Sequence, residues 1–262
     1  MSLLPSLYVP RDSWLHSLDP RVKLVFALLA TIALLSLDSL PIFVLFLVLC
    51  HALLLSARVP IARLGWAWRM MLPITILIPL LWPLFSTTTG PILLHLGPVT
   101  ITWIDVWQGL AMAARVDAMA FAFFVWLFTT DQAGIVMGFV HLGLPYEWGL
   151  TLAITLRYVP TLQAAFGRVM DAQRARGLVI SNTNPVQAVR AYIPALVPML
   201  IDALRTAENL SWALEARAFG APGRRRTTRR QLHFGLLDGL ALVLMIILFG
   251  GLIAARFLWG LF

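Results

Sequence analysis

Charge is what this sequence is short of. Only 12% of its 262 residues are Asp, Glu, Lys or Arg, while 60% are hydrophobic and the mean hydropathy is +0.85. A water-facing domain carries about 25% charged residues, so an ordinary soluble enzyme and a disordered chain are both excluded. Lysine occurs once, at Lys23. No glycine-rich phosphate loop ending in Lys-Ser/Thr can therefore exist, and any ATP hydrolysis must come from a partner. Cysteine also occurs once, at Cys50 inside an apolar run, which excludes an intrachain disulfide framework and a cysteine metal cluster. Histidines 16, 51, 95, 141 and 233 stand singly, with no His-Glu-x-x-His spacing. His51 reads as hydrogen-bonded packing rather than a ligand, and neither a metal nor a cofactor is expected. No apolar core precedes Pro5, Pro10, Arg11 and Asp12, so no secretory signal peptide is read.

What is present is a series of long apolar runs punctuated by arginine. A membrane-spanning helix needs about 20 mainly apolar residues. Val22 to Leu37 and Ser39 to Ala57 supply two. Met70 to Ile104 is uncharged but broken by Thr87-Thr88-Thr89-Gly90-Pro91, giving a third span over 70–85 and an outer loop with a short hairpin. A fourth span covers 105–129, with Arg115 and Asp117 on its early turns, and a last one runs from Phe234 to Leu258. Charges inside a span default to a functional hypothesis; here the alternative is an arginine snorkelling to the outer interface. Lys+Arg exceed Asp+Glu by 20 to 12, and their placement sets sidedness. Arg11, Arg21 and Lys23 hold the N-terminus in the cytoplasm. Arg58, Arg63 and Arg69 lie between spans two and three, again inside, while 86–104 faces out. Arg224, Arg225, Arg226, Arg229 and Arg230 precede the last span as a membrane anchor; no aromatic stacking platform accompanies them for nucleic acid.

The stretch 131–220 is polar too often to span. Leu152, Leu156, Val159, Leu162, Phe166 and Val169 recur every three or four residues, and so do Leu196, Leu200, Ala203, Ala207, Leu210 and Leu214. Each set marks one apolar face of a long amphipathic helix on the cytoplasmic side, with Ser181-Asn182-Thr183-Asn184-Pro185 as the turn between them. Asp131 reads as a helix cap rather than a catalytic acid. The fold class is all-α: a polytopic membrane protein with about five transmembrane helices plus two long amphipathic cytoplasmic helices. Its expected division is 1–130 for the N-terminal segment and four spans, 131–232 for the cytoplasmic helices, and 233–262 for the last span.

Both amphipathic helices end in Ala-Arg-small: Ala175-Arg176-Gly177 and Ala216-Arg217-Ala218. Arginine in a last turn and glycine just past it also make an ordinary helix cap. The duplication suggests more, because small neighbours let a guanidinium enter a narrow groove and bond in bidentate fashion. At these residues the sequence resembles the transmembrane T component of energy-coupling factor (ECF) transporters, the EcfT/CbiQ-like family of ABC-type importers. The opening Leu18-Asp19-Pro20-Arg21-Val22-Lys23-Leu24 is similar to that family's opening, and Thr129-Thr130, Gly143-Leu144-Pro145 and Arg157-Tyr158-Val159-Pro160 match in order. Ala218 stands where the second motif often has glycine. Independently of the resemblance, Asp19 can cap the first span and Pro20 suits its first turn.

The resemblance implies a non-catalytic subunit that joins two cytoplasmic ABC ATPases to a small membrane-embedded S component. That S component binds a vitamin or transition-metal ion. The two Ala-Arg-small motifs would dock into the ATPases, and their motion would pass through the coupling helices. Two other classes compete. An intramembrane enzyme would use Arg115, Asp117 and a histidine, but shows no nucleophile–base arrangement in sequence. A secondary transporter should show inverted hydropathy repeats, which are not evident.

Overall fold

The computed structural model describes residues 8–86, 91–96, 99–178, 185–219 and 234–259. Nine helices and one hairpin lie among them: α1 (Trp14–Ser17), α2 (Pro20–Ser36), α3 (Leu40–Ser56), α4 (Ile61–Phe85), β1 (Ile92–Leu96), β2 (Val99–Thr102), α5 (Trp103–Thr129), α6 (Gln132–His141), α7 (Tyr146–Ala175), α8 (Pro185–Ala216) and α9 (Leu236–Trp259). They form two compact units that part between Pro145 and Tyr146, with α9 returning to the first.

In the first unit, α5 is the central helix and packs against α2, α3 and α4, while α9 lies on α2. Small residues allow the approach: Ala27, Ala30 and Ala33 of α2 and Ala118 and Ala122 of α5 are fully buried, as expected where lipid supplies no hydrophobic drive and close contact does. Between them, Phe43, Phe121, Phe128, Leu34 and Leu54 fill the core. Gly109 of α5 is pressed against α4; a Cβ there would meet Pro79 Cα at 3.0 Å and Trp82 Cβ at 3.1 Å. The outward faces are as apolar as the core, with Leu45, Val48, Leu80, Leu244 and Ile247 exposed. Among the described residues, α4, α5 and Leu236–Arg256 are long and apolar enough to cross a membrane, and Leu40–Ser56 is a shorter apolar helix. α2 has 17 residues, about 25 Å of helix, close to the ~30 Å hydrocarbon thickness.

Local chemistry explains the boundaries. Asp19 Oδ1 accepts the Arg21 N–H at 2.9 Å and Pro20 occupies the first turn, so α2 starts as read. α5 opens with a capping box, Thr102 and Asp105 bonding each other's backbone. Asp131 caps α6 through the Gly134 N–H at 3.1 Å. Two expectations need correction. α4 begins at Ile61 rather than 70, so Arg63 and Arg69 belong to the helix and not to a loop; it also runs through Pro73, Pro79 and Pro83, which membrane helices tolerate. Lys23 is buried rather than a surface anchor: its amine donates to the carbonyls of Thr129 at 3.0 Å and His16 at 3.2 Å. The hairpin expected after span three is β1–β2, antiparallel with an irregularity between Ile92 and Leu94.

The second unit is a helical hairpin. Tyr146 and Phe219 rings lie 6.4 Å apart, Phe166 and Tyr192 rings 6.3 Å, and Gln173 Nε2 donates to the Pro194 carbonyl at 3.1 Å. The first contact joins the start of α7 to the residues just past α8, and the other two join the second half of α7 to the first third of α8, so the two helices run antiparallel. α8 leaves Ile193, Leu196, Val197, Leu200, Ile201 and Leu204 exposed along one face.

Candidate functional site

The two Ala-Arg-small motifs terminate α7 and α8 with the same backbone geometry. At the end of α7 the Leu178 N–H bonds the Gln173 carbonyl at 3.0 Å and the Gly177 N–H bonds Arg174 at 2.9 Å. At the end of α8 the Phe219 N–H bonds the Leu214 carbonyl at 2.9 Å and the Ala218 N–H bonds Glu215 at 2.8 Å. Both are Schellman closures, whose last residue before the turn is followed by one in the left-handed region. Arg176 and Arg217 hold that last position, and Gly177 (φ +91) and Ala218 (φ +55) follow. Ala218 thus adopts the conformation that glycine would take, at a cost of roughly 1–2 kcal/mol for a residue with a Cβ. The departure from glycine changes the residue and keeps the turn.

All six motif residues, Ala175, Arg176, Gly177, Ala216, Arg217 and Ala218, are exposed. Among the described residues neither the Arg176 nor the Arg217 guanidinium has a hydrogen-bond or ion-pair partner, whereas the Arg174 guanidinium lies 3.5 Å from Asp171. Because α7 and α8 are antiparallel, the motifs lie at opposite ends of the hairpin. α7 has 30 residues, so about 45 Å of helix separates them. α3 offers a contrast: it closes the same way, but there Arg58 itself takes the left-handed position (φ +57). The cap alone is common; an exposed, unpartnered arginine one residue before it is what the hairpin repeats. The anchor cluster Arg224, Arg225, Arg226, Arg229 and Arg230 lies outside the described residues.

Arg115 and Asp117 are not brought together; Arg115 instead meets Arg256 of α9 on a shared carboxylate. Arg115 donates to Asp38 Oδ1 at 2.6 Å and to the Leu37 carbonyl, and its guanidinium lies 5.0 Å over the Phe43 ring. Arg256 takes the other Asp38 oxygen. The hydrogen bond from Arg115, more than that from Arg256, holds the Asp38 carboxyl below its ordinary pKa. Asp117 is buried and accepts the Thr75 hydroxyl at 2.9 Å. His51 accepts the Trp68 indole N–H at 2.9 Å and contacts Phe121, the packing role expected. Among the described residues no group of three potential metal ligands occurs.

Sequence reasoning missed one junction. The Asp19 N–H bonds Asp238 Oδ1 at 2.8 Å, and Asp238 Oδ2 takes the Gly235 N–H at 2.9 Å, so one carboxylate caps α9 and ties it to the start of α2. Val9 N–H bonds the Phe128 carbonyl at 3.0 Å. Pro20 packs on α6, with Cγ and Cβ at 3.2 and 3.7 Å from where Cβ atoms of Gly134 and Gly138 would lie. The opening motif therefore fastens α2, α5, α6 and α9 at one end of the bundle. An acidic residue in the first turn of the last helix was the one available signal.

An apolar-sided helical bundle and a long amphipathic hairpin define a polytopic α-helical membrane protein. The chain belongs to the family described as cobalt transport protein (CbiQ), whose model matches residues 11–229, and with it to the T components of ECF transporters. It is 30% identical over 261 residues to the energy-coupling factor transporter transmembrane protein EcfT of Thermosediminibacter oceani, covering 96% of this chain and 97% of that one. The EcfT proteins of Listeria innocua (32% over 254 residues, 93% and 94% covered) and Heliobacterium modesticaldum (34% over 230 residues, 84% and 85%) are similar.

Proposed function

We propose that this chain is the non-catalytic coupling subunit of an ECF importer, with two cytoplasmic ABC ATPases docking at the two ends of the α7–α8 hairpin. Arg176 enters a groove on one and Arg217 the equivalent groove on the other. The observation that carries this reading is the pair of identical helix ends, each offering an unpartnered guanidinium, some 45 Å of helix apart. Two like ATPases present two like grooves, and two copies of one structural device at separate points match that demand. The shape supports the roles within each motif: Gly177 and Ala218 turn the chain sharply away, and small flanking residues leave the arginine prominent.

The exposed apolar face of α8, with the groove of about 310 Å³ formed by Leu162, Leu196, Val197, Met199, Leu200 and Ala203, suits the S component, the small membrane subunit that carries a vitamin or transition-metal ion. Motion of the ATPases would pass along the hairpin to that subunit. The arginine distribution supports a cell-membrane topology with the N-terminus and 131–232 in the cytoplasm and the C-terminus outside. The alternative of an intramembrane enzyme loses support, since Arg115 and Asp117 have separate partners.

Purification of the tagged chain from its native membrane tests the proposal. Stoichiometric recovery of two nucleotide-binding subunits and one small membrane protein is expected, with no ATP binding by the chain once stripped of them. Tight nucleotide binding or substrate turnover by the isolated chain would refute it.

A further inference from the structure

Trp14 lines two adjoining hollows of opposite character. One is an apolar groove of about 260 Å³ running from Trp14 between α2, α3 and α9, walled by Val22, Phe26, Leu53, Leu244 and Phe249. Lys23 borders it too, but its amine is engaged by the Thr129 and His16 carbonyls, leaving its methylenes to the groove. The other is a polar depression lined by Arg11, Asp12, Ser13 and His16. His16 is turned to the Val9 carbonyl, and burial holds its pKa below the ordinary value, so the charges offered there are the exposed Arg11 and Asp12.

We propose that the two hollows are one site for a single aminophospholipid, an ethanolamine headgroup lipid of the leaflet that meets this end of the bundle. One acyl chain fills the groove, the glycerol backbone crosses beside Trp14, Arg11 pairs with the phosphate, and Asp12 pairs with the primary ammonium. Three observations select this occupant. The groove opens among exposed apolar residues, Leu49, Leu244 and Leu248, on a surface that lipid covers. Trp14 lines both hollows, so the apolar groove runs on into the polar depression and asks for an occupant with an apolar chain and a charged head. Adjacent opposite charges complement a zwitterion carrying both phosphate and ammonium; an anionic headgroup would meet Asp12 unfavourably, and a choline headgroup has no N–H to give it. An indole at the junction of apolar and polar zones is the usual interfacial arrangement.

Native mass spectrometry of the full chain in detergent, titrated with palmitoyl-oleoyl phosphatidylethanolamine or phosphatidylglycerol, tests the site. The wild type should retain one phosphatidylethanolamine in preference to phosphatidylglycerol. Asp12→Asn should lower that retention by about three- to fivefold, the scale of an ion pair open to water, and remove the preference. Ala241→Phe, which fills the groove, should abolish retention, while Leu240→Phe, outside it, should not. As a readout free of groove variants, phosphatidylethanolamine brominated near the carboxyl end of its acyl chain should quench wild-type tryptophan fluorescence more than that of Trp14→Phe. Equal retention of the two lipids by the wild type, wild-type retention by Ala241→Phe, or equal quenching in the two proteins would overturn the proposal.

Discussion

Exchanging the two residues that follow the motif arginines separates the turn from the recognition. Ala218 holds φ +55 and Gly177 φ +91, and no atom lies within 4 Å of a Cβ built on Gly177. A change at either position therefore acts through backbone conformation and not through collision. Relieving the left-handed penalty of roughly 1–2 kcal/mol at Ala218 is partly offset by the greater entropy glycine loses on folding, about 0.5–1 kcal/mol, leaving a net gain near 1 kcal/mol for Ala218→Gly. Since 1.4 kcal/mol is a factor of ten, that gain slows opening of the α8 end about fivefold. The Phe219 N–H, bonded to Leu214 across the turn, reports it directly by hydrogen exchange. Gly177→Ala should do the reverse at the Leu178 N–H, accelerating exchange roughly fivefold for a net loss near 1 kcal/mol. Both arginines should keep their place in the variants, so partner docking should change little. Faster exchange at Phe219 in Ala218→Gly, or no change at Leu178 in Gly177→Ala, would show that these turns are not closed as described.

Removing Asp238 should destabilise the bundle by about 2–3 kcal/mol, because Asp238→Ala strands the N–H groups of Asp19 and Gly235; thermal unfolding in detergent measures it, and Asp238→Asn should be milder. Gly134→Ala would place a methyl 2.6 Å from Asp131 Oδ1 and 3.2 Å from Pro20 Cγ, so it should loosen the α6 cap and lower the melting temperature, which an unchanged melt would contradict. The Asp38 pKa is depressed in the folded chain by Arg115 and Arg256, so its contribution is present above the ordinary carboxylate pKa of about 3.9 and is lost as pH falls through the depressed value. The melting difference between wild type and Asp38→Asn should accordingly be visible at neutral pH and vanish in strong acid; a difference that grows on acidification would reverse the sign argued here.

The parts of the fold legible in the sequence were those that depend on local periodicity or on a residue's own neighbours. Apolar runs located α2, α3, α5 and α9 within a few residues, the 3.6-residue repeat found α7 and α8, and Asp19 and Asp131 declared themselves as caps. α4 was cut short because Arg63 and Arg69 resemble loop charges, although half-buried Arg63 and exposed Arg69 can both snorkel from the first turns of a helix. α6 was missed because ten residues bounded by Asp131 and Gly143 are too few for a periodic signal. Long-range pairing was illegible. Nothing near Arg115 names Asp38, 77 positions away, and its neighbour Asp117 was the more tempting partner. Nothing near Asp19 names Asp238, 219 positions away. For the motifs, the sequence supplied the two arginines, but only the antiparallel contacts of α7 with α8 put them at opposite ends, and only φ at Ala218 established that the two turns match.

If Arg176 and Arg217 each carry one ATPase, their loss registers in the affinity of the chain for the ATPases. Binding of purified ATPases to the chain in nanodiscs should be measured for wild type, Arg176→Ala, Arg217→Ala and the double variant. Truncating a buried charged partner costs roughly 2–5 kcal/mol, against about 0–1 for an exposed pair. Each single variant should therefore lose one of two ATPases, and the double variant both. Lysine at either position should rescue only in part, since it lacks the planar fork, and Arg225→Ala, which leaves four neighbouring arginines, should bind as wild type. Wild-type binding of two ATPases by the double alanine variant would reduce both motifs to helix caps and contradict the account.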